Sequence, residues 1–284
     1  MKNGLILWNP KSGNGLSEEA IHRLEQLMEA KLSTLDVTTV VDYAALLSQL
    51  RAEDLLIIAG GDGTLNRFMN HIDGLEIPCE TFYYPCGTGN DFARDLEKEA
   101  NCQPFRIHAY LKNLPTVEVK GQKYRFINGI GYGIDGYCCQ VGDEMKAKNI
   151  AKINYTAIAI KGLLGKYKTC GGSVTVDGET RRFKKIWLAP GMNGRFFGGG
   201  MMPCPEQDRL GGNQLVSTCV FHDTGKLKTL MIFPSLFKGE HVKNEKFVYV
   251  RSGKKITVEF DAPTPLQIDG EVIKGVTKYS IFYK

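Results

Sequence analysis

The sequence predicts an α/β protein with two domains: an N-terminal α/β domain with a parallel sheet (residues 1–122) and a C-terminal β-sandwich domain (residues 123–284). Strand and helix patterns alternate in the first part, which is typical of a parallel sheet covered by helices. Short β-rich runs separated by turn residues dominate the second part, as in a sandwich. The charge divides as well: residues 1–120 hold 11 basic and 17 acidic residues, a net −6, whereas residues 121–284 hold 25 and 14, a net +11. This change of sign favours two domains with different partners.

The elements of the first domain follow in chain order. Leu5–Trp8 is a short apolar run of the kind found in buried parallel strands, and the polar turn Asn9–Gly15 follows it. Ser17 is the predicted N-cap of an amphipathic helix whose apolar residues recur three and four positions apart. The next predicted elements alternate between strand and helix: strand Val37–Val41, helix Tyr43–Leu50, strand Asp54–Ala59, helix Leu65–His71, strand Thr81–Tyr84 and helix Asp91–Lys98.

The second domain is predicted to consist mainly of short strands with Asp-Gly and Ser-Gly turns between them. The predicted strands are Tyr124–Asn128, Ser173–Val176, Lys185–Ala189, Gln214–Phe221, Phe247–Arg251, Lys255–Phe260, Leu266–Ile268 and Tyr279–Tyr283. One helical insertion, at about residues 143–166, interrupts them.

The composition excludes several classes of protein. No window approaches the ~18 apolar residues of a membrane span, and Leu5–Trp8 is too short for the apolar region of a signal peptide. The eight cysteines include no C-x-x-C pair, so we expect reduced thiols and disfavour a zinc site. We therefore expect a cytoplasmic protein that is peripheral to a membrane.

The basic second half indicates an anionic partner. Residues 145–176 contain six lysines and no acidic residue, with apolar side chains among them. A cationic helix with an apolar stripe can lie on an anionic membrane surface or pack its stripe on the sandwich, and the charge of this half favours the membrane. We expect no nucleic-acid partner, because the sequence carries no recognised nucleic-acid motif and the basic residues lie outside the glycine-rich half. A homodimer is left open.

Three loops rich in glycine and polar residues follow three of the predicted strands. They are Asn9–Gly15, Gly60–Asn66 and Pro85–Asp91. In an open α/β sheet the carboxyl ends of the strands form the edge where ligands bind. Glycines permit positive φ and let a phosphate approach the backbone, and a helix N-terminus presents N–H groups to an anion. Helix capping alone would explain one such loop but not three of one kind, so the loops predict a phosphate site.

These loops together resemble the three nucleotide-site motifs of the diacylglycerol kinase catalytic family. That family includes bacterial soluble lipid kinases and is related to sphingosine and ceramide kinases. Three later segments also resemble it: Phe126–Asp135, Asn193–Gly200 and the Asp-Gly-Glu turn in Gln267–Glu271. The resemblance extends over nearly the whole chain.

The resemblance implies ATP and Mg²⁺ as cofactors and a lipid substrate, by default diacylglycerol, whose hydroxyl accepts the γ-phosphate. It implies that Glu271 is the catalytic base, that Asp269 orients Glu271 or takes that role itself, and that Asp62 contacts Mg²⁺ or tunes the site electrostatically. The residues implied to bind ATP are Asn9, Pro10, Lys11, Ser12, Gly13, Gly60, Gly61, Asp62, Gly63, Thr64, Leu65, Asn66, Arg67, Gly87, Thr88 and Asn90.

The chain departs from the family pattern at two places. Arg67 stands where the family commonly has Glu, and Pro205–Asn213 lacks the acidic pair that the family associates with a structural Mg²⁺. The sequence therefore leaves the metal ligands unknown, since Glu206 and Asp208 would substitute only in a shifted loop. Two alternatives stay open: an NAD or other soluble-substrate kinase of the same superfamily, and a catalytically impaired nucleotide-binding membrane module.

Overall fold

A computed structural model describes residues 2–10, 18–99, 102–150 and 153–283, apart from the side chains of residues 18, 19 and 166. The chain divides into two compact units between Leu114 and Pro115. The sequence placed the boundary at residues 122 and 123, which lie inside the second strand of a hairpin that belongs to the second unit.

The first unit has strands β1 (Lys2–Trp8), β2 (Ala30–Asp36), β3 (Leu55–Gly60), β4 (Glu80–Pro85) and β5 (Phe105–Arg106). Its helices are α1 (Glu18–Met28), α2 (Tyr43–Ser48), α3 (Asp62–His71), α4 (Asp91–Asp95) and α5 (His108–Lys112). The sheet order is β2-β1-β3-β4-β5, and only the edge pairing of β4 with β5 is antiparallel among these strands. Strand β3 is buried over its whole length, as its unbroken apolar sequence requires in the middle of a covered sheet. The predicted α/β unit with a parallel sheet is confirmed.

The second strand of this unit lies earlier in the chain than predicted. The sequence assigned it to Val37–Val41 because those residues are β-branched, but β2 ends at Asp36. The Asp36 carboxylate accepts hydrogen bonds from the Thr38 backbone N–H (2.8 Å) and hydroxyl (2.7 Å), which begins the 3₁₀ turn Val37–Thr39. A local side-chain cap thus overrides β propensity, and Val41 is left 98% exposed.

The second unit is mostly antiparallel β-structure with helices inserted. Its strands are β6 (Thr116–Val119), β7 (Gln122–Arg125), β8 (Gly129–Tyr132), β9 (Cys170–Val176), β10 (Glu179–Leu188), β11 (Gly191–Met192), β12 (Val216–His222), β13 (Val248–Gly253), β14 (Lys255–Ile268) and β15 (Glu271–Phe282). Its helices are α6 (Ile134–Ala147), α7 (Tyr155–Lys161) and α8 (Lys226–Ile232), with a π-helical turn (Gly162–Lys166) and two 3₁₀ turns (Phe233–Lys238 and Glu240–Lys243).

These strands form one sheet that closes partly on itself, because β9 pairs with both β10 and β14. The enclosed core contains stacked aromatic rings, with Tyr132 against Phe260 at 4.0 Å and Tyr132 edge-on to Tyr279 at 5.4 Å between ring centroids. A second cluster of buried apolar residues lies under α6, α7 and α8. The prediction of a β-sandwich-like second domain is confirmed.

Three features of this unit differ from the sequence prediction. Helix α6 begins at Ile134 rather than near residue 143, and Gly136 permits its close contact with β14, since a Cβ there would lie 2.0 Å from the Pro265 carbonyl oxygen. The predicted strands Lys255–Phe260 and Leu266–Ile268 form the single strand β14, whose pairing register with β15 shifts between Glu259 and Leu266. Helix α8 was not predicted.

No helix in the described part of the chain is both long and apolar enough to cross a membrane. All eight cysteines are free thiols, which agrees with the expectation from their spacing.

Candidate active site

The first candidate site lies at the carboxyl edge of the parallel sheet. Strands β1 and β3 are neighbours there, while the chain continues from β1 to β2 on one side and from β3 to β4 on the other. Such a reversal of strand order leaves a crevice at the strand ends, which is the usual ligand position in this kind of sheet. The loops after β1, β3 and β4 are the three that the sequence singled out.

The glycines of the second and third loops serve close backbone contact. Gly60, Gly61 and Gly63 do not adopt positive φ, so the left-handed conformation is not the reason for them. A Cβ on Gly87 would instead lie 2.3 Å from the Gly61 Cα, so the loop after β4 contacts the start of α3 directly. The Gly60 carbonyl also accepts hydrogen bonds from the Cys86 N–H and the Tyr83 hydroxyl, both at 3.0 Å. Loops two and three thus form one backbone surface.

The loop after β1 is joined to the same surface. The Asn9 N–H donates to the Ala59 carbonyl (3.3 Å), and its side-chain amide donates to the Thr64 hydroxyl (3.1 Å). Thr64 is buried, so its hydroxyl links loops rather than projecting outward. Pro10 is exposed next to Asn9. The other predicted residues of this loop, Lys11, Ser12 and Gly13, lie outside the described residues and stay predictions.

Asp62 connects α3 to α4. One carboxylate oxygen accepts the Asp91 N–H and the other accepts the Phe92 N–H, both at 2.9 Å. These are N–H groups of the first turn of α4, which a carboxylate stabilises by capping and by its charge. The geometry therefore gives Asp62 a positioning role between two of the loops. Its predicted contact with Mg²⁺ stays a prediction.

Asn90 holds the third loop in shape. It is buried and adopts the left-handed conformation (φ 51°, ψ 41°). Its side-chain oxygen accepts the Gly87 N–H (3.1 Å), and its amide donates to the Gly87 carbonyl (2.8 Å). This reciprocal pair closes the loop across Thr88, which is exposed at its tip. Asn90 therefore fixes the shape of the loop, and Thr88 is its exposed residue.

The predicted residues on α3 divide by burial. Leu65 is 0% exposed and its N–H donates to the Gly61 carbonyl (3.2 Å), so its side chain belongs to the core, and its assignment to the ATP site stays a prediction. Asn66 is buried, and its backbone and side-chain oxygens both accept from the Asn70 amide. Arg67 is exposed on the same helix. A Cβ at Gly63 would meet no described atom within 4 Å, so the backbone at the start of α3 is open.

The second candidate site is the turn between β14 and β15. Asp269 and Gly270 both have positive φ (43° and 99°), which is the conformation of a type I′ hairpin turn. The Asp269 carboxylate accepts the N–H groups of Ile127 (2.6 Å), Asn128 (2.9 Å) and Gly129 (2.9 Å). These three donors belong to the segment that leads into β8, so Asp269 anchors the turn to that segment. The catalytic roles of Asp269 and Glu271 stay predictions.

Glu271 is the first residue of β15, opposite Ile268, and it is exposed. Beside it, the Gln267 side chain connects the turn to a buried carboxyl that sequence reasoning missed. Its oxygen accepts the Gly270 N–H (2.6 Å), and its amide donates to Asp135 (2.9 Å). Burial raises the pKa of Asp135 from its usual 3.8 to about 6, and the Gln267 hydrogen bond opposes that shift. The only sequence signal for Asp135 was its place at the end of Phe126–Asp135.

The raised pKa of Asp135 predicts a pH-dependent stability difference. The folded protein retains this proton to higher pH than the unfolded chain, so the stability it contributes is complete below pH about 4 and is lost as the pH rises through about 6. Asp135→Asn cannot lose this proton. Its unfolding free energy, compared with that of the wild type, is therefore expected to rise by on the order of 2–3 kcal/mol as the pH increases from about 4 to about 6. Urea unfolding across this pH range measures the difference. Asp143→Asn, at an exposed position of the same helix, should show no such gain, and parallel pH curves for wild type and Asp135→Asn would contradict the prediction.

A buried polar network surrounds the loop before β8. Arg209 is buried and donates to the Ile127 carbonyl (2.9 Å) and the Asn128 side-chain oxygen (3.2 Å). The Asn193 amide also donates to the Ile127 carbonyl (2.9 Å), and the Tyr283 hydroxyl donates to Asn193 (2.6 Å). These contacts fix the backbone whose N–H groups hold Asp269, so they position the hairpin turn indirectly.

The structural Mg²⁺ that the resemblance implies near Pro205–Asn213 does not fit these residues. Among the described side chains, no group of three or more His, Cys, Asp or Glu is placed to hold a metal ion. The segment instead buries Gln207, which donates to the Leu215 carbonyl (2.9 Å), and the guanidinium of Arg209. A fixed positive charge of the chain thus organises this segment.

We therefore expect Arg209→Met to lower the unfolding free energy by about 2 kcal/mol, because the buried Asn128 side-chain oxygen loses the guanidinium donor and the Ile127 carbonyl keeps only the donor from Asn193 of these two. Addition of EDTA should leave the thermal unfolding temperature of the wild type unchanged. Arg251→Met is the matched control, since that guanidinium is exposed, donates to the neighbouring Val250 carbonyl and lies 5.1 Å from the centroid of the Tyr249 ring. A fall in unfolding temperature with EDTA would show that a metal ion does stabilise the fold.

Comparison with known families agrees with this arrangement. Residues 3–117 match the family described as "Diacylglycerol kinase catalytic domain", and residues 128–279 match the "YegS C-terminal NAD kinase beta sandwich-like domain". The chain belongs to the diacylglycerol kinase catalytic family. The predicted family is therefore confirmed, and membership identifies the chain as a kinase, that is, a phosphotransferase.

Relatives of this kinase match it over most of its length. The Bacillus subtilis protein named "Putative lipid kinase YtlR" is 25% identical over 300 residues, covering 99% of this chain and 92% of its own. A "Diacylglycerol kinase" of Mycobacterium tuberculosis (strain CDC 1551 / Oshkosh) is 26% identical and covers 89% and 84%. The crystal structure of a "putative diacylglycerol kinase" from Bacillus anthracis str. Sterne has a TM-score of 0.68 at 22% identity, covering 100% and 92%, and shows the shared fold.

The residues at the sheet edge fit the nucleotide that this kinase family implies. The start of α3 is open at Gly63, and the exposed Arg67 lies one turn further along the same helix. A phosphate can approach such a turn closely and accept hydrogen bonds from its backbone N–H groups.

Proposed function

We propose that this protein is an ATP-dependent lipid kinase that transfers the γ-phosphate of ATP to a lipid hydroxyl, with diacylglycerol as the leading substrate. One observation carries the proposal. Three loops at three strand ends are joined at the start of α3: Asn9 donates to Thr64, Asp62 accepts two N–H groups of α4, and Gly87 packs directly on Gly61. Capping of single helices would not require the three loops to contact one another, whereas a site for the phosphates of a nucleotide formed by all three loops would.

In this proposal the backbone of the three loops holds the phosphates. The start of α3, which is open at Gly63, would offer its first N–H groups, and Gly87, packed on Gly61, and the exposed Thr88 would continue the same surface. Arg67, Pro10 and the undescribed Lys11, Ser12 and Gly13 complete the predicted ATP contacts. Mg²⁺ bound with ATP would neutralise charge on the phosphates, the main requirement of phosphoryl transfer.

Glu271 is the proposed catalytic base. Its carboxylate takes the proton of the lipid hydroxyl as that oxygen bonds to the γ-phosphorus, and the bond from the γ-phosphorus to the bridging oxygen of ADP breaks. An exposed carboxylate at a hairpin turn can reach a substrate, whereas the Asp269 carboxylate accepts hydrogen bonds from three backbone N–H groups. Asp269 and Gln267 are positioning residues for this turn.

The proposed acceptor places the protein at a membrane. Diacylglycerol resides in the bilayer and ATP in the cytoplasm, so we propose peripheral association with the cytoplasmic leaflet. The net +11 of residues 121–284 supports association with anionic lipids. Self-association is not required by this proposal.

The test is transfer of label from γ-labelled ATP to diacylglycerol in detergent micelles, with NAD offered in a parallel reaction. We expect labelled phosphatidic acid and no labelled NAD phosphate. Label in NAD alone would show a soluble-substrate kinase of the superfamily. Binding of Mg-ATP without transfer to diacylglycerol or to any component of a lipid extract would show a catalytically impaired nucleotide-binding module.

A further inference from the structure

Two segments of the second unit are basic and free of acidic residues. Residues 153–168 and 224–239 together contain six lysines and no Asp or Glu. The first includes α7 and the π-helical turn, and the second includes α8 and the 3₁₀ turn after it. Both segments also contain many large apolar residues, so each combines positive charge with apolar surface.

The two segments lie against each other although they are far apart in sequence. Helix α8 packs on the π-helical turn, and the Lys226 ammonium donates to the Leu164 carbonyl (3.0 Å). On the inner face of α8, Thr229 and Ile232 are buried, as is Leu236 in the following turn. This inner face anchors the pair to the apolar cluster beneath α6 and α7.

The outer face is also apolar, which is unusual for a solvent-facing helix. Leu227 and Met231, one helical turn apart on α8, are 74% and 68% exposed. Leu164 of the π-helical turn is 53% exposed, and Phe237 is 41% exposed. Single exposed apolar residues are common, but several on adjoining elements mark an interaction surface. We call these four residues, with Lys228 and Lys238, the α8 surface.

We propose that the α8 surface docks on an anionic lipid bilayer, with its apolar side chains in the headgroup boundary and its lysines against the lipid phosphates. The inference rests on the proposed function for the presence of a bilayer substrate. Charge favours a bilayer over a protein partner, because apolar tips among lysines suit the acyl boundary and its anionic headgroups. The acidic residues just outside the second segment are Asp223, whose carboxylate accepts the Lys184 and Lys185 N–H groups, and the exposed Glu240.

The first test compares binding of the wild type and Leu227→Ser/Met231→Ser to vesicles of equal parts phosphatidylcholine and phosphatidylglycerol. We expect the variant to partition about tenfold less onto the vesicles, because two apolar side chains no longer leave water. Val41→Ser/Leu75→Ser is the matched control, since those exposed apolar residues lie on the first unit, and it should bind as the wild type does. Equal binding by the wild type and the α8 variant would overturn the proposal.

The second test separates charge from apolar contact. Lys228→Gln/Lys238→Gln should reduce partitioning about tenfold at low salt, and high salt should remove that difference but retain the effect of the Leu227 and Met231 changes. Lys31→Gln/Lys123→Gln removes the same charge elsewhere and should have a smaller effect. Equal loss of binding for both lysine pairs would overturn the assignment of charge to this surface.

The two proposals fail in different ways. Transfer to diacylglycerol in detergent micelles does not require a bilayer, so the α8 variant should retain that activity, while absence of transfer in every variant would refute the kinase function alone. Sedimentation velocity without lipid tests whether a second copy of this chain, rather than a bilayer, covers the α8 surface. If the wild type were a dimer and Leu227→Ser/Met231→Ser a monomer, the surface would be a contact between two copies, and the bilayer proposal would be overturned.

Discussion

Glu271→Gln is expected to abolish phosphoryl transfer while leaving Mg-ATP binding intact. The amide has the size of the carboxylate but cannot take the proton of the lipid hydroxyl, so the loss in kcat should be about 10²- to 10⁴-fold. The backbone of Glu271 pairs with Ile268 in β14, and that pairing does not depend on the side chain. Transfer of label to diacylglycerol measures kcat, and calorimetric titration measures the affinity for Mg-ATP.

Glu259→Gln is the control for this change. Glu259 lies in the same strand pair, is exposed and forms an ion pair with Lys278 at 3.3 Å, so it carries the same charge without a proposed role. We expect its kcat to match the wild type. If Glu271→Gln retained activity, Glu271 would be removed from the role of base, and Asp269 or a group outside this turn would have to supply it.

Gly87→Ala should disrupt the nucleotide site through the fold itself. The new Cβ would lie 2.3 Å from the Gly61 Cα, 2.9 Å from the Gly61 nitrogen and 3.0 Å from the Asn90 side-chain oxygen. Two of these are backbone atoms, so the loops after β3 and β4 would have to separate. We expect a loss of about 3 kcal/mol in unfolding free energy and of measurable ATP binding. Denaturant unfolding and calorimetric titration test the two effects.

Gly63→Ala is the informative counterpart. Its Cβ meets no described atom within 4 Å, and alanine is favoured over glycine in a helix by ~1 kcal/mol. The variant should therefore be as stable as the wild type or more so. Its methyl group would nevertheless stand where the proposal places the nucleotide phosphates, so ATP affinity should fall. Wild-type ATP affinity in this variant would show that the phosphates do not approach Gly63.

The first unit was predictable where its signals are local. The apolar run of β3 is the kind of pattern that short-range sequence determines, and α3 follows it directly. Prediction was wrong at Val37–Val41, where β propensity lost to the Asp36 cap. It also missed α8, because apolar residues lie on both faces of that helix and obscure the helical period.

The sequence by itself determined the family, the two-domain α/β architecture and the glycine-rich turns, since each depends on residue types at short spacing. Only the tertiary structure decided what the polar residues of those turns do. Asp62 accepts hydrogen bonds from N–H groups of α4 that lie 29 and 30 residues later in the sequence. Asp269 accepts hydrogen bonds from N–H groups that lie 140 to 142 residues earlier. Asp135 meets Gln267 across 132 residues. The hydrogen-bond partners of such a carboxylate are set by which segments pack around it, and local sequence patterns carry no record of that packing.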